Sequence, residues 1–399
     1  MTKFLKENIF LGGVFLISPF YSLPFVWIGM MRRKRLAFFL WAFFMGLVGL
    51  LYAPTGDLYR YNEVAINLKG LSFSEVTEYC VLSNEFVLGY LFYILNTLGI
   101  DPEYMRFIYP FVAYLLLGNI YLDILETNEF WQSHKLMLLL IIMPINLAIF
   151  LFRFYFSMAI FLYGAYKLIF RNQNSGWLFI IFSVLNHFSY LIFAVAFLFY
   201  RCNIFKFKKW VLITLCIISA VLDAGVIVNS FMLLPEFIVN RYIAYFDGYF
   251  AGEYLEDHSL RYRLWLYSIN LMSYIGIAVY IIGYNPKYLQ KSPYVNIIFL
   301  ITSLTSAFTT IYNRFLIVLF MAVKIFCGFS FDSKKYLRLA VVLTSAVMMS
   351  NVLNLWAKRR EISLSDYQIF LYETTPQIFM HRYSPEWIGH HVFPNGDYQ

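Results

Sequence analysis

A histidine, an aspartate and four arginines stand out because they lie within or beside long apolar or aromatic stretches. Arg153 lies near the start of "FRFYFSMAIFLYGAYKLIF", Arg314 sits in "TTIYNRFLIVLF", and His187 lies in "SVLNHFSYLIF". Asp57 and Arg60 occur in "PTGDLYRYNE", and Arg241 in "PEFIVNRYIAYFDGYF". Ionisable groups within or beside apolar runs are costly and tend to be functional. Arginine carries a planar fork of donors that stays charged and matches phosphate oxygens. Several arginines in one semi-apolar cavity therefore ask for a multiply charged anion, and a diphosphate held at a membrane surface is the natural one. Histidine titrates near neutrality and suits general-base work, which makes His187 one candidate. Asp57 is the other, or else a ligand for sugar hydroxyls, or the partner of Arg60. Each residue also has a plainer reading. An interfacial arginine can snorkel to lipid phosphates, a histidine can bridge two helices, and an aspartate after a glycine can cap a turn. Convergence on one face is what favours the chemical reading.

The elements that must position these residues follow from composition. The chain has 399 residues, 61% hydrophobic and only 14% charged, where soluble proteins average about 25% charged. Apolar runs fall at about 9–30, 36–52, 86–100, 104–124, 136–152, 154–171, 177–200, 210–230, 264–283, 294–311, 313–330 and 337–356. Runs of this length predict an all-α, polytopic transmembrane helical bundle of about 10–13 membrane segments. The alternating segments of a spanning β-barrel are absent. The net charge of +8 collects in basic clusters at the ends of apolar runs. The positive-inside rule explains it, and nucleic acid is not expected as a partner. The run at 9–30 is too long for the core of a secretory signal. Four scattered cysteines predict neither a zinc site nor a disulfide framework. The sequence shows no Gly-rich phosphate loop and no Asp-x-Asp metal motif, so the phosphate is expected on a lipid carrier, with no cofactor and no metal.

Basic clusters at 32–35, 167–171, 201–209, 287–291 and 334–338 mark one side, and the acidic loops 53–85 and 231–262 the other. Residues 177–200 are flanked by basic loops at both ends. The simplest resolution is a bent hairpin of two short helices with His187 at its tip, tolerated at depth only where buried in protein or lining a wet cavity. The 86–100 run also looks re-entrant. "KRR" at 358–360 falls on the acidic side, against the charge rule. Residues 1–356 read as a single transmembrane domain and 357–399 as a solvated polar tail, in which His381, His390 and His391 lack metal-ligand spacing.

These motifs, in order, resemble the EpsG/Wzy-type family of polysaccharide polymerases. The resemblance rests on Gly56, Asp57 and Tyr61 opening the first acidic loop, Glu85 heading the run to Tyr90, and Arg153 to Ala159 opening a span. "NHFSYLI" around His187 and "YNRF" around Arg314 complete it. The chain departs from the family's commoner Gly-Thr-Asp and Arg-Gln at two of these points. The resemblance implies a metal-independent glycosyltransferase, glycosyltransferase-C-like in fold, in the bacterial inner membrane. It would join undecaprenyl-diphosphate-linked oligosaccharide repeats into O-antigen, capsule or exopolysaccharide on the outer face. A flippase and a chain-length regulator are the implied protein partners. On this reading Arg153, Arg314, Arg241, Arg60 and Glu85 bind substrate, and His187 or Asp57 handles the acceptor proton. An O-antigen ligase and a transporter or flippase of lipid-linked sugars are the alternatives.

Overall fold

The computed structural model describes residues 3–83, 85–145, 152–200, 204–221, 260–306 and 309–393. Arg241 and nearly all of the second acidic loop lie outside the described residues. Among the described residues the regular elements are helices, and the chain is an all-α membrane protein. The helices are α1 (Lys3–Ile17), α2 (Leu23–Met31), α3 (Arg35–Leu51), α4 (Asp57–Asn67), α5 (Phe73–Ser83), α6 (Phe86–Thr97) and α7 (Met105–Thr127). They continue as α8 (Glu129–Ser133), α9 (Lys135–Ile142), α10 (Phe152–Ile169), α11 (Gly176–Asn186), α12 (Leu191–Leu198) and α13 (Lys209–Val221). The rest are α14 (Leu260–Ile282), α15 (Pro293–Leu304), α16 (Thr309–Ser330), α17 (Leu337–Ala357), α18 (Arg359–Leu364), α19 (Thr375–Met380) and α20 (Pro385–His391).

Among the described residues, four stretches are helices long and apolar enough to cross a membrane: Pro102–Thr127, Arg263–Ile282, Thr310–Ser330 and Lys334–Ala357. Local chemistry sets the ends of the first. The Asp101 side chain accepts from the Glu103 amide at 2.9 Å, and Pro102 follows it, an arrangement suited to orphan donors at a helix start. At the other end Asn128 Nδ2 donates to the Phe331 carbonyl at 2.9 Å, tying α7 to the end of α16. The first acidic loop is helical rather than irregular. Gly56 adopts φ +59, a conformation that favours glycine, and α4 starts at the next residue.

Two packing centres hold the bundle. Helix α7 packs against α3 and α10, and α16 packs against α14 and α15, while α9 touches α7, α16 and α17. The starts of α7, α10, α14 and α16 lie at one end with the finishes of α3 and α17. We call this the site end.

The run 177–200 is broken as expected, and its two arms can be followed along α10. Gly164 and Gly176 meet where a Cβ on Gly164 would stand 2.7 Å from the Gly176 carbonyl oxygen. Asn186 reaches Arg153, so α11 runs antiparallel to α10 toward the site end. Tyr190 then reaches Phe154, and Phe193 and Phe197 pack on Phe161, so α12 runs back. The hairpin straddles α10. An arm of 11 residues spans about 16 Å, too short to cross ~30 Å of hydrocarbon.

The C-terminal segment corrects the expectation of a solvated tail. Ile369, Phe370, Ile378 and Tyr383 are buried. The Tyr383 hydroxyl donates to the Leu51 carbonyl at 2.6 Å, and the Ser365 hydroxyl accepts from the Ala53 amide at 2.9 Å. Arg382 pairs with Asp101 at 3.1 Å. The apolar residues interleaved with the polar ones cover the site end. Two of its histidines have local partners: His381 pairs with Asp366 at 2.8 Å, and the His391 ring stacks on Trp387.

Candidate functional site

The break at Asn186–His187 decides how the site is built. His187 is extended, with φ −149 and ψ 106, and is followed by a single 3-10 turn. This frees the Asn186 carbonyl from the helix, and the Arg153 Nε and Nη2 donate to it at 3.3 Å each. The Asn186 side chain is fully buried. Its Nδ2 donates to the Arg153 carbonyl at 3.1 Å and to Ser157 Oγ at 2.7 Å. Its Oδ1 accepts from the Tyr109 hydroxyl at 3.0 Å. Asn186 therefore locks α7, α10 and the hairpin tip together, and buried amides persist only when satisfied in this way.

Arg153 was expected to face a diphosphate directly. In the structure its Nη1 is ion-paired to Glu85 Oε1, and its guanidinium lies over the Tyr61 ring at 5.8 Å. Glu85, at the start of α6, also accepts from the Tyr79 hydroxyl at 3.2 Å. Arg153 is 9% exposed. Burial raises the Tyr61 phenol, with the Arg153 charge pulling the other way. Burial first, and the Glu85 charge second, push the Tyr79 phenol up to about 12. Both phenols therefore stay protonated near neutrality, and Tyr79 remains a donor to Glu85. Arg153 and Glu85, both expected to bind substrate, thus form a mutual, largely buried ion pair.

His187, Arg314, Asp57 and Arg60 have partners of their own. His187 Nδ1 lies 2.7 Å from Ser189 Oγ, and its ring meets Phe154 edge-on at 5.5 Å. Arg314, in the first turns of α16, acts electrostatically on Tyr155 and Tyr190. Tyr190 is the hairpin residue whose hydroxyl reaches Phe154. The His187 ring also meets the Tyr190 ring edge-on at 6.1 Å, so Tyr190 is near both His187 and the Arg314 charge. Asp57 heads α4, where its charge acts on Tyr61. It pairs with the exposed Arg60 at 3.5 Å. Both side chains of this pair are solvated.

Sequence reasoning missed three participants. Arg106 is 2% exposed. Its Nη1 donates to the Tyr52 carbonyl at 2.7 Å and its Nη2 pairs with Glu103, holding the head of α7 against the exit of α3. Asn186 stood beside the more conspicuous His187. Lys324 lies within the apolar "FLIVLFMAVKIFCGF", and a lone ammonium in such a run was itself a signal.

A sequence model of the EpsG family matches residues 34–372. This span takes in α3 through the 3-10 turn that follows α18, and every candidate residue named above. No curated protein and no solved structure matches the chain.

Proposed function

Because the chain belongs to the EpsG family, we propose that it is a membrane polysaccharide polymerase acting on lipid-diphosphate-linked oligosaccharide repeats. The observation that carries this is the gathering of Glu85, Arg153, His187 and Arg314 at one end of the bundle. These residues come from four separate elements, and a broken hairpin is what joins them. Family membership supports the polymerase-like role. The substrate, the outer face of a bacterial inner membrane and the independence from metal belong to the proposal.

In this reading the acceptor hydroxyl oxygen bonds to the donor's anomeric carbon while the bond from that carbon to the diphosphate oxygen breaks. The bonding pair leaves with the diphosphate, and the hydroxyl proton passes to a base. Lipid diphosphate is a good leaving group, so stabilising its developing charge is the main task of the protein. Preorganised cations at developing charge often supply the largest catalytic term. Arg314 takes this role, with Arg241 as a second cation. His187 receives the acceptor proton, and the Ser189 contact at 2.7 Å orients its ring. Asp57 holds sugar hydroxyls at the rim. Arg153 and Glu85 become positioning residues that fix the hairpin tip carrying His187.

The test is a deletion strain complemented with the intact gene or with an Arg314→Ala variant present at normal membrane abundance. The intact gene should restore a ladder of long polysaccharide chains, and the variant should leave single repeats. A deletion that leaves no repeat attached at all would instead mark a ligase.

A further inference from the structure

Beneath Arg314 a cavity of about 120 Å³ descends between α10, α14, α16 and α17. That is on the order of ten times the space one water needs. Asn313, next to Arg314, lines its upper part, and Lys324 lies ten residues further along α16. This separation is about 15 Å along the helix, so the cavity is a well with an ammonium toward its floor.

Lys324 is 5% exposed. Among the described residues no carboxylate pairs with it, and its Nζ makes no hydrogen bond. It lies 4.9 Å from the Phe320 ring. An ammonium carries three donors and no acceptor, and leaving it unmatched inside a bundle is costly. Asn351 and Asn354, one α17 turn apart, also line the well. Among the described residues their amide side chains make no hydrogen bond, and Asn354 is 6% exposed. Asn270 spends one donor on Asn313 Oδ1 at 2.8 Å. Trp265 and Tyr155 supply aromatic walls. Aromatic faces with a few convergent polar groups are the usual make-up of a small-molecule pocket. Paired amides suit hydroxyl groups, which both donate and accept.

We propose that this well is a saccharide subsite for a pyranose bearing one carboxylate, with the carboxylate on Lys324 and the ring hydroxyls on Asn351 and Asn354. The proposal rests on the polymerase reading and adds which kind of sugar the protein selects. A single ammonium without an arginine fork matches one negative charge better than a phosphate, which favours several charged donors. The depth below Arg314 also separates this anion from a diphosphate held at that arginine.

The experiment uses the purified full-length protein in lipid nanodiscs. Binding of methyl glucuronoside, methyl glucoside and inorganic phosphate is followed by saturation-transfer NMR. The glucuronoside should bind at least tenfold more tightly than the glucoside. Lys324→Gln should erase that preference while leaving glucoside affinity within twofold. Asn354→Leu should weaken both sugars together and keep the preference. Equal affinities in the unaltered protein, a preference that survives in Lys324→Gln, or Lys324-dependent binding of phosphate alone would each overturn the proposal. The polymerase reading fails separately, if deleting the gene leaves the polysaccharide ladder unchanged.

Discussion

Arg153 and Glu85 come from helices far apart in sequence and meet as an ion pair with side chains 10% and 20% exposed. Breaking one half of a buried pair leaves the other charge uncompensated, at about 3–5 kcal/mol for full burial. The remaining exposure of Glu85 places its loss toward the lower end of that range. Glu85→Gln should therefore lower both the membrane abundance and the thermal midpoint of the protein. Pairing it with Arg153→Met should recover part of the loss, because the double variant strands no charge. A double variant no better than Glu85→Gln alone would show that Arg153 does more than balance Glu85. Arg314 differs, because its proposed role is to stabilise charge on substrate. Arg314→Lys keeps the charge and loses the fork. One lost charge-assisted contact is worth about 1.5–3 kcal/mol, or roughly 10- to 150-fold in rate when felt only in the transition state. The expected result is a chain-length ladder collapsed to short products at normal abundance. A normal ladder would return Arg314 to the role of an interfacial anchor.

At the scale of elements, the hairpin depends on two glycines. Helices α10 and α11 approach so closely at Gly164 and Gly176 that an added Cβ would meet backbone, and backbone cannot rotate aside. Gly164→Leu should destabilise by about 1–3 kcal/mol through overpacking and shift Asn186 away from Arg153. Gly118→Ala is the control. Its Cβ would make an ordinary contact with Phe38 at 3.4 Å, and alanine favours a helix interior over glycine, so the midpoint should hold or rise slightly. Sidedness is testable by cysteine accessibility. Glu63 is exposed on α4, and Asn174 is exposed at the turn before α11. Cys80 is fully buried and unsuitable as a reporter. With Cys202 and Cys216 replaced by serine, an impermeant thiol reagent should label Glu63→Cys in intact spheroplasts and leave Asn174→Cys unmodified. Labelling of the second would reverse the proposed orientation.

Across the whole molecule, the C-terminal segment closes the site end. Tyr383 ties it to the exit of α3 through the Leu51 carbonyl, and the Arg106 guanidinium lies over the Tyr383 ring at 5.4 Å. Removing residues 358–399 would expose the apolar surfaces under Phe370 and Ile378 and free Arg106 on one side. The shortened protein should lose most of its membrane abundance. Tyr383→Phe should cost only about 1 kcal/mol, the worth of one hydrogen bond. A shortened protein with normal abundance and a normal midpoint would make this segment an addition to the bundle rather than part of its stability.

Composition and run length were enough to determine that the protein is a bundle of apolar helices, because spanning a bilayer forces backbone hydrogen bonds to close within helices. The charge pattern also exposed the break at His187, since two basic loops cannot flank one 24-residue span and share a side. The motifs around Asp57, Glu85, Arg153, His187 and Arg314 pointed to a family and to one end of the molecule. What they could not reveal is who pairs with whom. Glu85 and Arg153 looked like two separate ligands because pairing across helices leaves no periodic trace in the sequence. The docking of the C-terminal segment was invisible for a similar reason: its apolar residues are too sparse to form a run, and they count only when the exit of α3 and the head of α7 lie beneath them. Lys324 was legible as an oddity. The well it faces exists only where four helices fail to fill the space between them, and only tertiary packing decides that.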